Sequence, residues 1–159
     1  MQLWQFFLFL HVLGAIAAFG PGFAAMIVGP MVAKEPQHGN FYARTQVATG
    51  KKLVTPVALS MAITGILILV TVPGGYQGVV GSRLWLPVGI VLYVIAVVFA
   101  FVWQARNGQK LVDLTSTPPA PGTPPSPEIP ATAGKLRIGG IVLTVLVIAI
   151  VFLMVTKPF

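Results

Sequence analysis

The stretch Ile138-Gly-Gly-Ile-Val-Leu-Thr-Val-Leu-Val-Ile-Ala-Ile-Val-Phe-Leu-Met-Val-Thr156 contains no charged residue. Three other stretches share this property, at residues 1–33, 53–82 and 84–105. A helix needs roughly 20 predominantly apolar residues to cross a hydrocarbon core about 30 Å thick. Each stretch can hold one such helix. The sequence therefore predicts an all-α fold, a four-helix transmembrane bundle with antiparallel consecutive spans.

Composition places the whole chain in the membrane class. Of its residues, 56% are hydrophobic and 8% are charged, whereas soluble proteins carry about 25% charged residues. We predict a single membrane domain, 1–159, with spans at about 3–28, 53–71, 84–104 and 138–156. The first span lacks the basic start of a secretory signal, and its apolar run is longer than a signal's, so we expect it to be retained.

The basic residues are concentrated on one side of the predicted bundle, and the formal net charge is +7. The segments at residues 29–52 and 106–137 hold eight of the ten Lys and Arg residues, which leaves Arg83 and Lys157 elsewhere. Loops rich in Lys and Arg usually stay in the cytoplasm, so both segments are predicted to be cytoplasmic and both termini outside. This placement accounts for the positive charge without nucleic acid. The lipid bilayer is the expected partner.

The predicted cytoplasmic loop at residues 115–133 is rich in proline. Half of the chain's fourteen prolines fall between Pro118 and Pro130. Such a composition favours an extended polyproline II conformation and cannot bury a core. The segment is interpreted as a solvated linker between the third and fourth spans. Its PxxP spacings leave open a second interpretation, a docking peptide.

His11 is the residue on which a functional prediction depends, because it is the only histidine inside a predicted span. An ionisable side chain in a membrane span is costly and marks a candidate functional site. Residues three and four apart share a helix face, so His11, Gly14, Ala18 and Gly22 form a stripe of small residues beside the imidazole. Such a stripe can accept another helix. It can equally accept a flat cofactor, with His11 as the metal ligand of heme b.

Helix geometry indicates which residues of the other spans can contact His11. By residue count along antiparallel spans, Tyr93 and Thr64 lie at about the depth of His11. Met61 lies within about one helical turn of the same level. Either Tyr93 or Thr64 could hydrogen-bond the imidazole, whereas Met61 could be a second axial ligand of a heme iron. Arg83, the arginine predicted on the outer side, could pair with a heme propionate or with lipid phosphate.

Three function classes remain open. The first is a heme b protein that uses His11. The second is a non-catalytic subunit or scaffold, with membrane-protein partners or a second copy of the chain. The third is copper handling, in which thioether sulfur, suited to Cu(I), would come from a methionine near His11: Met26, Met61 or Met154.

Hydrolytic chemistry is not indicated. The only acidic residues are Glu35, Asp113 and Glu128, and all three lie in predicted loops. No pair of carboxylates is therefore available inside a span for proton relay or hard-cation binding. The chain has no cysteine, which excludes disulfides, thiolate metal sites and cysteine nucleophiles. These absences favour a protein that is not an enzyme.

Four short segments have the character of a known family: Phe9-Leu-His-Val-Leu-Gly-Ala15, Thr55-Pro-Val-Ala-Leu59 with Thr64-Gly65, Leu92-Tyr-Val94 before Trp103, and Phe152-Leu-Met-Val-Thr-Lys-Pro158. The chain resembles the predicted bacterial integral membrane proteins called domain of unknown function 2269. This resemblance implies a four-helix membrane fold in a bacterial inner membrane. It implies no particular activity.

The opening Leu-His-Val-Leu-Gly at residues 10–14 is also similar to CopD-type copper-resistance proteins and HemJ-type protoporphyrinogen oxidases. In the latter group a first-span histidine is associated with heme, and His11 matches that position. Heme b is therefore the cofactor that the resemblance implies. Pro30 and Met31 stand where this pattern has a further histidine, and Lys51 or Lys52 matches a lysine before the second span.

Overall fold

The computed structural model describes residues 2–80, 84–117 and 126–158. Within these ranges the chain is helical and contains no β-strand, which confirms the all-α prediction. The helices are α1 (Leu3–Val32), α2 (Gly39–Thr49), α3 (Thr55–Thr71), α4 (Gly75–Val80), α5 (Trp85–Phe99), α6 (Ala105–Leu114) and α7 (Glu128–Thr156). A 3₁₀ turn at Pro36–His38 precedes α2, and π-helical segments at Gly50–Val54 and Ala100–Gln104 join α2 to α3 and α5 to α6.

Four continuous helical rods are long and apolar enough to cross a membrane: Leu3–Val32, Pro36–Thr71, Trp85–Leu114 and Glu128–Thr156. The predicted four-helix transmembrane fold is therefore confirmed. Their large side chains stay exposed, as for Ile27 at 70% and Val155 at 74% relative accessibility. In a membrane protein this surface meets lipid, so exposure of apolar side chains is the expected arrangement.

Two rods continue well beyond the apolar stretches into segments expected to be loops. We call this side of the bundle, which carries residues 29–52, 105–117 and 126–137, the basic end. Here α2 and α6 pack together, with a Cβ at Gly108 falling 3.2 Å from Val47 Cγ2. The Asn40 amide donates hydrogen bonds to the Val112 carbonyl at 3.1 Å and the Thr115 hydroxyl at 3.0 Å. These tertiary contacts hold the polar sequence helical.

The proline-rich loop is also shorter than the predicted 115–133, because α7 begins at Glu128. Pro130 lies in the first turn of α7, where the missing N–H group would have no helical partner. Thr132 is buried at 3% relative accessibility, so this part of the predicted linker is packed. Glu128 and Lys110 form an ion pair at 2.7 Å that joins α7 to α6. Residues 118–125 of the predicted loop lie outside the described residues.

The membrane helices pack as two main pairs, α1 with α3 and α5 with α7. Small residues allow the close approach within the second pair. A Cβ at Gly89 of α5 would fall 3.0 Å from Met154 Cε of α7. One at Gly139 of α7 would fall 2.5 Å from Gln104 Oε1 and 2.8 Å from Trp103 Cδ1, both in the π-helical segment that follows α5. Without a hydrophobic driving force between membrane helices, such tight contact is a main source of association. Tyr93 of α5 links the two pairs by donating a hydrogen bond to the Ala58 carbonyl of α3.

A hydrophobic cluster around Trp85 lies at the end opposite the basic end. Trp85 and Leu86 are buried there against Leu69 and Met154. Lys157 ends α7 in the left-handed conformation, with φ of 46°, and its Nζ lies 5.4 Å from the centroid of the Trp85 ring. The cluster therefore fixes the ends of α3, α5 and α7 relative to one another.

Candidate functional site

His11 lies in the contact between α1 and α3. Its Nδ1 is 3.0 Å from the Met61 carbonyl oxygen and 3.1 Å from the Thr64 hydroxyl oxygen. The side chain is half-buried. The imidazole thus has polar partners on a second helix, as expected for a polar group within a membrane span.

These partners fix the tautomer of His11. A carbonyl oxygen only accepts hydrogen bonds, so the proton lies on Nδ1 and is donated to Met61. The Thr64 hydroxyl can donate its own hydrogen to the Ser60 carbonyl at 3.0 Å and accept from Nδ1 at the same time. Nε2 then carries the lone pair, and it takes part in none of the hydrogen bonds among the described residues. This form of histidine is the one that binds metals.

Close packing brings α3 up to the imidazole. A Cβ at Gly14 would fall 2.9 Å from Met61 Cγ, and one at Gly65 would fall 3.5 Å from His11 Cε1. Ala18 is buried at 5% relative accessibility. The prediction that the small-residue stripe accepts another helix is correct for Gly14 and Ala18. It is wrong for Gly22, whose Cβ would meet nothing within 4 Å.

Met61 has a packing role in this structure. Its side chain fills the contact with Gly14 and is 6% exposed, while its backbone carbonyl holds His11. A porphyrin between the His11 imidazole and the Met61 sulfur would have to lie where the two helices already touch. The geometry therefore does not support Met61 as an axial ligand, and it makes Gly14 a residue of helix contact.

The other predicted site residues have different positions. The Tyr93 hydroxyl donates to the Ala58 carbonyl and is absent from the hydrogen bonds of His11. Of the two partners expected from depth, the structure thus pairs Thr64 with the histidine. Arg83 lies outside the described residues, so its pairing with a propionate or a lipid phosphate stays a prediction.

Of the methionines in the copper hypothesis, Met61 lies beside His11, whereas Met26 and Met154 do not. Met26 follows it by fifteen positions on the same helix, a separation of about 22 Å at 1.5 Å per residue. Met154 packs against Gly89 and the Trp85 cluster instead. Residues 2–80, 84–117 and 126–158 contain no group of three or more His, Cys, Asp or Glu placed to hold a metal ion. Met61 is therefore the one of these three methionines near the imidazole, and the packing of its side chain against Gly14 does not favour it as a copper ligand.

Two parts of the site were not predicted from the sequence. The first is the Met61 carbonyl, since backbone acceptors leave no signature in side-chain patterns. The second is Gly65, which lies against the His11 ring. Its only signal was its place beside Thr64 in the Thr-Gly pair that carries part of the family resemblance.

Sequence comparison places these four helices in a family. The family model described as "Predicted integral membrane protein (DUF2269)" matches residues 5–158, nearly the whole chain. No protein of curated function and no solved structure is significantly similar to this chain. The likeness to CopD-type and HemJ-type proteins therefore stays a prediction. The match covers all four membrane rods and the His11 contact, so the chain belongs to the DUF2269 family of predicted integral membrane proteins.

Proposed function

We propose that this protein binds heme b within the membrane and that Nε2 of His11 would hold the iron. The observation that carries the proposal is the tether of Nδ1 to the Met61 carbonyl and the Thr64 hydroxyl. Metal-binding histidines almost always donate their second ring N–H to a carbonyl, carboxylate or water, which orients the ring and raises its basicity. The remaining nitrogen is then available to a metal.

The contacts around His11 leave one side of the imidazole open for the proposed cofactor. A Cβ at Gly65 would lie 3.5 Å from Cε1 and 3.8 Å from Nδ1 of His11, so α3 approaches this edge of the ring, and Gly14 and Met61 are in close contact beside it. A heme would therefore lie on the side of the imidazole that faces away from α3. Bound there, it would supply one-electron chemistry. The chain's own residues would hold the iron, fix the orientation of the ring and exclude water by means of the apolar helices.

A visible absorption spectrum of the detergent-purified protein tests the proposal. We expect a Soret band that His11→Ala abolishes while the protein still inserts into the membrane. Met61→Leu is the matched control, because it changes a neighbouring sulfur-bearing side chain and retains the carbonyl. It should keep the band. A protein that stays colourless when expressed with ample heme supply would refute the heme proposal.

A non-catalytic membrane subunit is the second candidate. It is favoured by the same hydrogen bonds, because protein groups alone already satisfy Nδ1 and close the contact between α1 and α3. His11 would then join two helices. Its replacement by alanine would lower the free energy of unfolding by about 0.6 kcal/mol and at most about 1.7 kcal/mol, as for other hydrogen bonds between membrane helices. This loss without any spectral change selects the second candidate.

A further inference from the structure

A cleft at the basic end is separate from the His11 site. It has a volume of about 480 Å³ and lies between the last turns of α1 and the start of α2. Val28, Met31 and Val32 form one wall, Phe41 forms part of the other, and Glu35 and His38 lie at its mouth. The volume is within the range of small-molecule sites, about 300–1,000 Å³.

Tyr42 connects α2 to α1 within the cleft. The Tyr42 hydroxyl donates a hydrogen bond to the Ala25 carbonyl at 3.4 Å, and a Cβ at Gly29 would fall 3.6 Å from the same hydroxyl oxygen. The Tyr42 side chain therefore spans the distance between the helices. Nearer the middle of α1, Gly14 and Met61 are in direct contact, so the helix pair widens towards the basic end.

The position of the cleft defines the kind of molecule that it can take. Its α1 wall belongs to the last part of the charge-free stretch 1–33, and the first charged residues of the chain, Lys34 and Glu35, follow directly. On α1 the cleft therefore lies where the apolar stretch meets the first charged residues, which is where lipid head groups are expected. An occupant needs an apolar chain and a polar head, which the surrounding lipid supplies.

The charged side chains at the mouth of the cleft limit which type of head group can bind. The Glu35 carboxylate lies 3.5 Å from His38 Nε2, and both side chains are more than half exposed. A purely anionic head group would meet the Glu35 carboxylate, while Lys34, the preceding residue, would attract the phosphate of any phospholipid. A zwitterionic head group with a primary ammonium can place that ammonium on Glu35 and accept a hydrogen bond from His38 at its phosphate.

We propose that this cleft binds the head group and upper acyl chain of one phosphatidylethanolamine molecule from the leaflet at the basic end. The ammonium group donates to Glu35, the phosphate accepts from His38, and the acyl chain lies along Val28 and Val32. Phosphatidylcholine would bind less well, because its quaternary ammonium has no hydrogen to donate. Phosphatidylglycerol would bind less well, because it has no cation for Glu35.

Native mass spectrometry of the full-length protein tests this. The protein is equilibrated in detergent with an equimolar mixture of phosphatidylethanolamine, phosphatidylglycerol and phosphatidylcholine that carry identical acyl chains. We expect one retained phosphatidylethanolamine, enriched about threefold to fivefold over the other two lipids, the range that an exposed ion pair supports. Glu35→Gln should abolish the enrichment.

Two controls keep the outcome decisive. Asp113→Asn removes a carboxylate on α6 that accepts a hydrogen bond from Gln109 and lies outside the cleft, so it should retain the wild-type enrichment. Val32→Trp fills the apolar wall and should reduce retention of all three lipids. Wild-type retention in the proportions of the mixture would overturn the proposal, as would equal enrichment in Glu35→Gln and Asp113→Asn.

Discussion

Replacement of Gly14 by alanine tests how closely α1 and α3 approach beside His11. The new Cβ would fall 2.9 Å from Met61 Cγ, whereas carbon atoms in favourable contact are about 3.5–4.0 Å apart. Met61 must therefore yield by roughly 0.6–1 Å. Overpacking of this kind costs about 1–3 kcal/mol, and the flexible methionine side chain puts the expected cost in the lower half of that range.

Gly22→Ala is the matched control, because it lies on the same helix and its Cβ would meet nothing within 4 Å. Both variants gain the same helix propensity, about 1 kcal/mol for glycine to alanine. The difference between them therefore isolates the contact with Met61. We expect Gly14→Ala to have a free energy of unfolding about 1–2 kcal/mol below that of Gly22→Ala.

Unfolding in mixed detergent micelles, followed by tryptophan fluorescence, measures this difference. Met61→Ala removes the Cγ atom, so in that background the two glycine variants should agree within about 0.5 kcal/mol. Equal stabilities of Gly14→Ala and Gly22→Ala in the wild-type background would refute the close packing. A difference that persists with Met61→Ala would assign the clash to another residue.

Three further predictions concern orientation and packing. A single cysteine at Ser126 should be labelled from the cytoplasmic side and one at Gln77 from the outer side, because eight of the ten Lys and Arg residues belong to the basic end. Labelling of Ser126→Cys from outside alone would contradict this orientation. Tyr93→Phe should lower the free energy of unfolding by about 0.6–1.7 kcal/mol through loss of the hydrogen bond between α5 and α3, and an unchanged value would contradict that bond. Gly139→Val should disrupt the contact of α7 with the π-helical segment Ala100–Gln104, since its Cβ would fall 2.8 Å from Trp103 Cδ1. Wild-type thermal stability in detergent would show that this contact is loose.

The membrane helices could be predicted because the absence of charge over 19 or more residues admits few alternatives. The helical extensions at the basic end could not. Residues 39–49 and 105–114 are polar enough to form solvated loops, and their helical state depends on contacts such as that between Asn40 and Val112. A tertiary hydrogen bond between residues more than seventy positions apart leaves no local signal in the sequence.

The sequence predicted which residues lie at the depth of His11 in the membrane. It did not predict which of them point towards the imidazole. Counting residues placed both Thr64 and Tyr93 near His11, because each helix rises by about 1.5 Å per residue. The choice between them depends on the rotation of each helix about its axis, which packing decides. The same rotation leaves Gly22 open although it continues the stripe of Gly14 and Ala18.

The rod from Pro36 to Thr71 makes the His11 site mechanically continuous with the protein's aqueous surface. The rod has 36 residues. At about 1.5 Å per residue it spans roughly 54 Å, which is longer than a hydrocarbon core of about 30 Å. No loop interrupts it, so a piston or twisting movement of α2 would be carried along one backbone to the Met61 carbonyl. The π-helical segment at Gly50–Val54 is the one irregular joint on that path. A molecule that binds α2 from the aqueous side and moves it would thereby change the orientation of the His11 ring within the membrane.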